Sequence, residues 1–155
     1  MPLYYLGPAG SFTHTAAIAY NKQAQQLIPS TSIEEVLAAV KKNKSSFGIV
    51  PVENSVEGVV LRTLDLILEK NLSVTAEINL PIRQHLLSRE KSINSIKIIY
   101  SHPHAFAQSR KFLDKYAPHA DFKETLSTSA AAICASKEPH SAAISGEQAS
   151  KLYNL

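Results

Sequence analysis

The chain of 155 residues has one cysteine, no apolar run near the roughly 18 residues of a membrane span, and no stripe of basic residues. The lone thiol, Cys134 in the Ala-rich run SAAAICAS, forms no internal disulfide. It reads as a small apolar residue in a reducing compartment, the cytoplasm. The N-terminus, MPLYYLGPAGS, lacks a basic stretch followed by a long apolar one, so no secretory signal is expected. Lys and Arg number 16 against 13 Asp and Glu, a formal charge of +3, and they are scattered along the chain. Scattered charge argues against a nucleic-acid partner and leaves a small acidic metabolite. GPAGSFTH carries glycines but lacks the Gly-Lys-Ser/Thr ending of a phosphate loop, so no nucleotide site is expected. His102 and His104 have a spacing seen in metal sites, but no third ligand of suitable spacing accompanies them, and no metal is expected. Neither sequence repeats nor low-complexity tracts occur.

What is present fits a soluble α/β protein. The hydrophobic share is 45% and the charged share 19%, and the length allows one ordinary domain or two small lobes with a real core. Leu3–Leu6 reads as a strand, followed by a helix that Ser11 or Thr13 caps and that runs to about Asn21. Leu27–Ile28 reads as a strand, and Ser32 caps the helix IEEVLAAVKKN, whose acidic start and basic end match the helix dipole. Phe47–Val50 reads as a third strand, with a helix over TLDLILEK. Ser73–Ile78 and Arg83–Leu87 are expected to be extended, with Asn79–Pro81 as a hinge. The second half repeats this alternation. A strand over Ile96–Tyr100 leads to a helix opened by Ser101 and Pro103, and a strand around Phe122 leads to a helix capped by Ser127 or Thr128. A strand over Ser141–Ile144 then precedes a short helix. Such alternation predicts mostly parallel sheets.

The stretch PVENSVEGVVLRTLD, Pro51 to Asp65, stands out. It is read as a strand-to-helix junction, where outward backbone N–H groups receive ligands. Glu53, Asn54, Ser55 and Thr63 gather there, with Gly58 to relieve crowding, a set suited to a small oxygen-rich anion. Plain capping by Asn54 and Ser55 is the simpler alternative. Three helix starts thus carry hydroxyl or amide groups after a strand: Ser11–Thr13, Asn54–Ser55 and Ser127–Thr128. In open α/β sheets ligands gather at the carboxyl ends of strands, so these starts are expected to converge on one anion. His14 is read as a core-edge residue, His85 as a strand residue able to line a cleft, and Lys41, Lys42 and Lys44 as a solvated helix end.

In this order and spacing, GPAGSFTHTAA, PVENSVEGVVLRTLD, SHPHAFAQ and STSAAA resemble the catalytic domain of prephenate dehydratase over nearly the whole chain. The resemblance implies two lobes, residues 1–78 and 79–155, similar to type II periplasmic binding proteins, with a cleft between them holding the site. It implies conversion of prephenate to phenylpyruvate, carbon dioxide and water in phenylalanine biosynthesis, with no cofactor. By motif position, Asn54 and Ser55 would donate to a carboxylate or to the leaving hydroxyl, with Glu53 holding the backbone or Asn54. Ser11, Phe12 and Thr13 would bind a carboxylate from one side and Ser127 and Thr128 from the other, with Thr63 and Gln108 as further polar groups. The family's glutamine after His-Pro is His104 here, although Gln108 matches the later glutamine. Family members also continue past the position of Leu155 into a Thr-Arg-Phe segment that returns to the first lobe, and then into a regulatory ACT domain. Without the return segment, an open sheet edge is expected to favour a homo-oligomer. Two other readings remain: a module that binds a small carboxylate without chemistry, and a fragment that only folds and self-associates.

Overall fold

A computed structural model describes residues 1–21, 26–56 and 58–155, so Glu57 of the prominent motif lies outside the described residues. The chain forms two compact units: Met1–Pro8 with Phe12–Leu80, and Ala9–Ser11 with Pro81–Leu155.

The first unit is built on a three-stranded parallel sheet of β1 (Pro2–Leu6), β2 (Gln26–Ser30) and β3 (Phe47–Ile49), in the order β2-β1-β3. Alternation along β1 buries Leu3 and Tyr5, which pack with Ala17 of α1 (Phe12–Tyr20). In α2 (Ile33–Lys42), Ser32 Oγ accepts from Glu35 N at 3.1 Å. Glu35 in turn accepts from both the N–H and the hydroxyl of Thr31, a variant of the capping box. These bonds hold the Glu35 carboxyl below its usual range. Lys41, Lys42 and Lys44 are exposed at the helix end.

The junction after β3 differs from expectation. Two short strands, β4 (Glu53–Asn54) and β5 (Gly58–Val59), form an antiparallel hairpin, and α3 spans Leu61–Glu69. Asn54 and Ser55 therefore sit at a hairpin tip and not at a helix start. The residue before α3 is Val60, which makes no side-chain cap. Gly58 relieves no crowding, since an added Cβ would meet nothing within 4 Å; its φ of +82° is what favours glycine. The expected extended segment 73–78 forms no strand among the described residues, and Val74 is exposed. A strand requires a partner along its length, and among the described residues no strand pairs with this segment.

The second unit carries a four-stranded sheet of β6 (His85–Ser88), β7 (Ile98–Ser101), β8 (Asp121–Glu124) and β9 (Ser141–Ser145). The order is β6-β9-β7-β8, with only β6 antiparallel to its neighbour. Helix α4 (Pro103–Tyr116) covers one face through Ala105 and Leu113, packed on Ile99, Ala142 and Ile144. Helices α5 (Thr128–Lys137) and α6 (Glu147–Tyr153) cover the other, where Ala131, Ala132, Ala135 and Ala149 meet Tyr100 and Ala143. The alanines let α5 approach closely, and half-buried Cys134 packs against this layer. Ser101 ends β7 and does not open α4. That cap is His102, whose ring Nδ1 accepts from His104 N at 3.3 Å. Within this unit, Gly10 has a φ of +86°, and a Cβ there would lie 3.2 Å from the Tyr153 ring. Tyr153 donates its hydroxyl to Ala9 O at 2.9 Å.

The three-stranded sheet is parallel and the four-stranded sheet parallel but for β6, and among the described residues no helix is long and apolar enough to cross a membrane.

Candidate active site

Each unit presents its polar groups at the carboxyl edge of its own parallel strands. In the first, the chain passes from β1 to one flank and later returns to β3 on the other. Their carboxyl ends therefore form a topological switch point, the place where open α/β sheets receive ligands.

Two threonines fasten the loops at this point. Thr13, in the first turn of α1, donates its hydroxyl to Leu6 O at the end of β1. Thr63 donates to Pro51 O at 2.7 Å, just past β3. Thr63 is 0% exposed, which corrects its assignment as a substrate-binding group: it ties α3 to the loop. Val60 N to Val52 O at 2.8 Å closes the hairpin base.

On that fixed base the hairpin displays Glu53, Asn54 and Ser55, all exposed. Asn54 Oδ1 accepts from Val56 N at 2.9 Å, which orients the amide. With the oxygen engaged inward, the two Nδ2 hydrogens face away and have no acceptor among the described residues. The Ser55 hydroxyl likewise has no partner there. Asn54 is held by the Val56 N–H. Phe12 is half-buried at the start of α1. His14 stacks on Tyr5, with ring centroids 4.8 Å apart, and burial lowers its pKa below the ordinary 6.5.

In the second unit the connections reverse between β7 and β9. Ser127 caps α5, its Oγ accepting from Ala130 N at 3.0 Å, and the neighbouring Thr128 hydroxyl is half-buried without a partner among the described residues. Ser11 is half-buried and belongs to this unit. Gln108 is exposed on α4, one turn beyond His104 on the same helix face. The rings of His102 and His104 meet edge-on at 5.1 Å, and among the described residues no group of three His, Cys, Asp or Glu could hold a metal. His85 is exposed at the start of β6.

Three serines that sequence reasoning did not select lie at this edge. Ser101 is buried, its hydroxyl donating to Ile144 O at 3.0 Å. Ser129 and Ser145 are buried as well. Their signal was available, since a serine ending an apolar strand or following a cap occupies the edge where ligands bind.

Elsewhere in this unit, Tyr100 donates to Glu138, and Lys123 approaches the same hydroxyl at 3.4 Å. The Glu138 bond, then burial, raises the Tyr100 pKa. The residues lie on the α5 face, at the end remote from Ser127.

Against known proteins, the family model described as prephenate dehydratase matches residues 3–155. The chain is 38% identical over 151 residues to a bifunctional chorismate mutase/prephenate dehydratase of Aquifex aeolicus, covering 97% of this chain and 42% of that one. It is 41% identical over 158 residues to the prephenate dehydratase of Lactococcus lactis subsp. cremoris, covering 100% of this chain and 56% of that protein. The prephenate dehydratase of Arthrobacter aurescens, solved in complex with L-Phe, superposes with a TM-score of 0.85 at 34% identity, over 98% of this chain and 52% of that one. The chain thus spans about half the length of these relatives or less. With residues 3–155 matched by the family model, the chain belongs to the prephenate dehydratase family.

Proposed function

We propose that this chain carries the prephenate dehydratase reaction, the decarboxylative dehydration of prephenate to phenylpyruvate, carbon dioxide and water. The two-lobed, type II periplasmic-binding-protein-like description belongs to the same proposal. It is supported by two α/β units that each reverse their connections at a switch point.

The reaction balances without an external oxidant or reductant. The bond from the ring to its carboxylate breaks, its electron pair enters the ring, and the ring C–O bond breaks with its pair leaving on oxygen. Aromatisation drives both events, so the enzyme's task is to orient a dianion and ease the departure of hydroxide. Hydroxide leaves poorly unless a donor offers it a proton or a hydrogen bond as charge develops.

The observation that carries the reading is the fixed amide of Asn54. Its oxygen is held by Val56 N at 2.9 Å, so its Nδ2 donors are set before the substrate arrives. Preorganised donors stabilise developing negative charge without reorganising during the reaction. Ser55 supplies a second donor from the same hairpin tip, and Glu53 sits beside them, where an ionised carboxylate would repel a dianion unless turned away. Ser127, Thr128 and Gln108 supply the polar groups of the second unit, and Ser11, Phe12 and Thr13 those of the residue before α1 and of its first turn.

The test is phenylpyruvate formation by the 155-residue chain, alone and with Asn54→Asp. Asp keeps the acceptor for Val56 N and replaces the donors with an anionic oxygen. Activity is expected to fall by about 10²–10³ or more with the melting temperature little changed. Equal activity in the variant would remove Asn54 from the chemistry. Prephenate binding without any phenylpyruvate would leave a carboxylate-binding module.

A further inference from the structure

The four-stranded sheet ends in an open edge that carries an ordered pattern of charge. Among the described residues β8 pairs with β7 alone, and Asp121, Phe122, Lys123 and Glu124, the whole of the strand, are exposed. The N–H groups of Asp121 and Thr125 donate to Lys97 O and Ser101 O, each at 2.8 Å, so these residues turn their backbone groups to β7. Backbone groups alternate along a strand, which leaves the N–H and C=O of Phe122 and Glu124 pointing away from the sheet. Such an edge is a template for one more strand.

The sequence of β8 selects that strand. A second copy of β8, laid antiparallel, can hydrogen-bond only when the two-fold axis passes through a residue, because outward groups must meet outward groups. An axis at Asp121 or at Glu124 would set two carboxylates directly opposite, and an axis at Lys123 two ammonium groups. An axis at Phe122 sets Asp121 opposite Lys123 of the second copy, twice, and lets the two Phe122 residues exchange both backbone bonds. Opposite charges facing each other across a strand pair attract, and like charges repel. A lysine commonly protects an edge strand from addition; with an aspartate two residues before it, the same charge admits one register.

We propose that two copies of this chain join through β8, antiparallel about Phe122, into one continuous sheet. The two Phe122 rings then meet on the α4 face, where Phe122 is 39% exposed and packs edge-on to Phe106 at 5.5 Å. They close the mouth of a cavity of about 230 Å³ that Phe106, Leu113 and Phe122 help to line. Main-chain bonds supply the affinity and the charge pairs supply the register. The contact stands apart from the reaction proposed above and uses none of its residues.

The test follows mass against concentration by sedimentation equilibrium, with melting curves to show that each variant is folded. The parent chain is expected to reach a dimer. Asp121→Lys and Lys123→Asp each set like charges opposite one another twice, and each is expected to raise the dissociation constant about tenfold or more. An equimolar mixture of the two restores every opposite-charge pair and is expected to regain the parental association. Lys123→Asp also deprives the Tyr100 hydroxyl of an ammonium 3.4 Å away. Asp121→Asn spares that contact and is expected to weaken association in the same direction by a smaller factor. A parent that stays monomeric overturns the proposal, as does unchanged association in Asp121→Lys and Asp121→Asn. Folded variants that are weakened alone and remain apart when mixed overturn the register, and the interface with it.

Discussion

Thr63 Oγ1 donates to the carbonyl oxygen of Pro51 at 2.7 Å, bridging 12 residues from the first turn of α3 to the loop past β3. Everything between them, including the Asn54 hairpin, is a closed excursion from that tie.

Replacing Thr63 with Val keeps the shape and deletes the donor, leaving Pro51 O short of a partner. The expected loss is about 1–3 kcal/mol. Thr63→Ser keeps the bond and gives up a methyl group, so it is expected to lose less in bonding and about 1 kcal/mol in packing. Urea denaturation of both variants checks the order. A Val variant as stable as the parent would show that the tie holds nothing.

His14 makes stability depend on acidity. Burial lowers its pKa below 6.5, so the folded chain resists a proton that the unfolded chain accepts. As pH falls through this window the unfolded state binds more protons, and stability drops; above the ordinary value the contribution is fully present. His14→Phe keeps a ring beside Tyr5 and removes the titration. Its urea midpoint is expected to vary less than the parent's between about pH 7.5 and about pH 5. Parallel curves would dismiss the contribution.

The first sheet has an open edge. Among the described residues β3 pairs with β1 alone, and Val59, Leu61 and Leu68 of the same unit are exposed. Open edges and apolar patches invite a second chain. The 155-residue chain is expected to gain mass with concentration in light scattering over a roughly fiftyfold range. A constant monomer mass, with melting as cooperative as in a longer relative, would sink this expectation.

Local signals were legible and pairing was not. Ser32 and Ser127 could be read as caps because a cap depends on four successive residues. The alternation of Leu3 and Tyr5 likewise announces the buried side of β1. Asn54 was placed at a helix start because nothing in PVENSVEGVV carries a two-residue hairpin signal, and the apolar run of Val59, Val60 and Leu61 merges strand into helix. Segment 73–78 reads as strand by composition, yet a strand exists only when another lies beside it. Thr63 shows a different limit. Its motif position suggested a ligand contact, while its spacing of three from Leu66 put both on the buried side of α3.

Ala9–Ser11 groups with Pro81–Leu155 although the chain on either side of it belongs to the first unit. Neither unit is consequently one uninterrupted piece of gene. Expressing Pro81–Leu155 by itself would deprive the Tyr153 hydroxyl of the Ala9 carbonyl and strip Gly10 from the α6 surface. Modular dissection at Leu80 would therefore yield a damaged half, and a transplantable version would need its three-residue strap stitched back on.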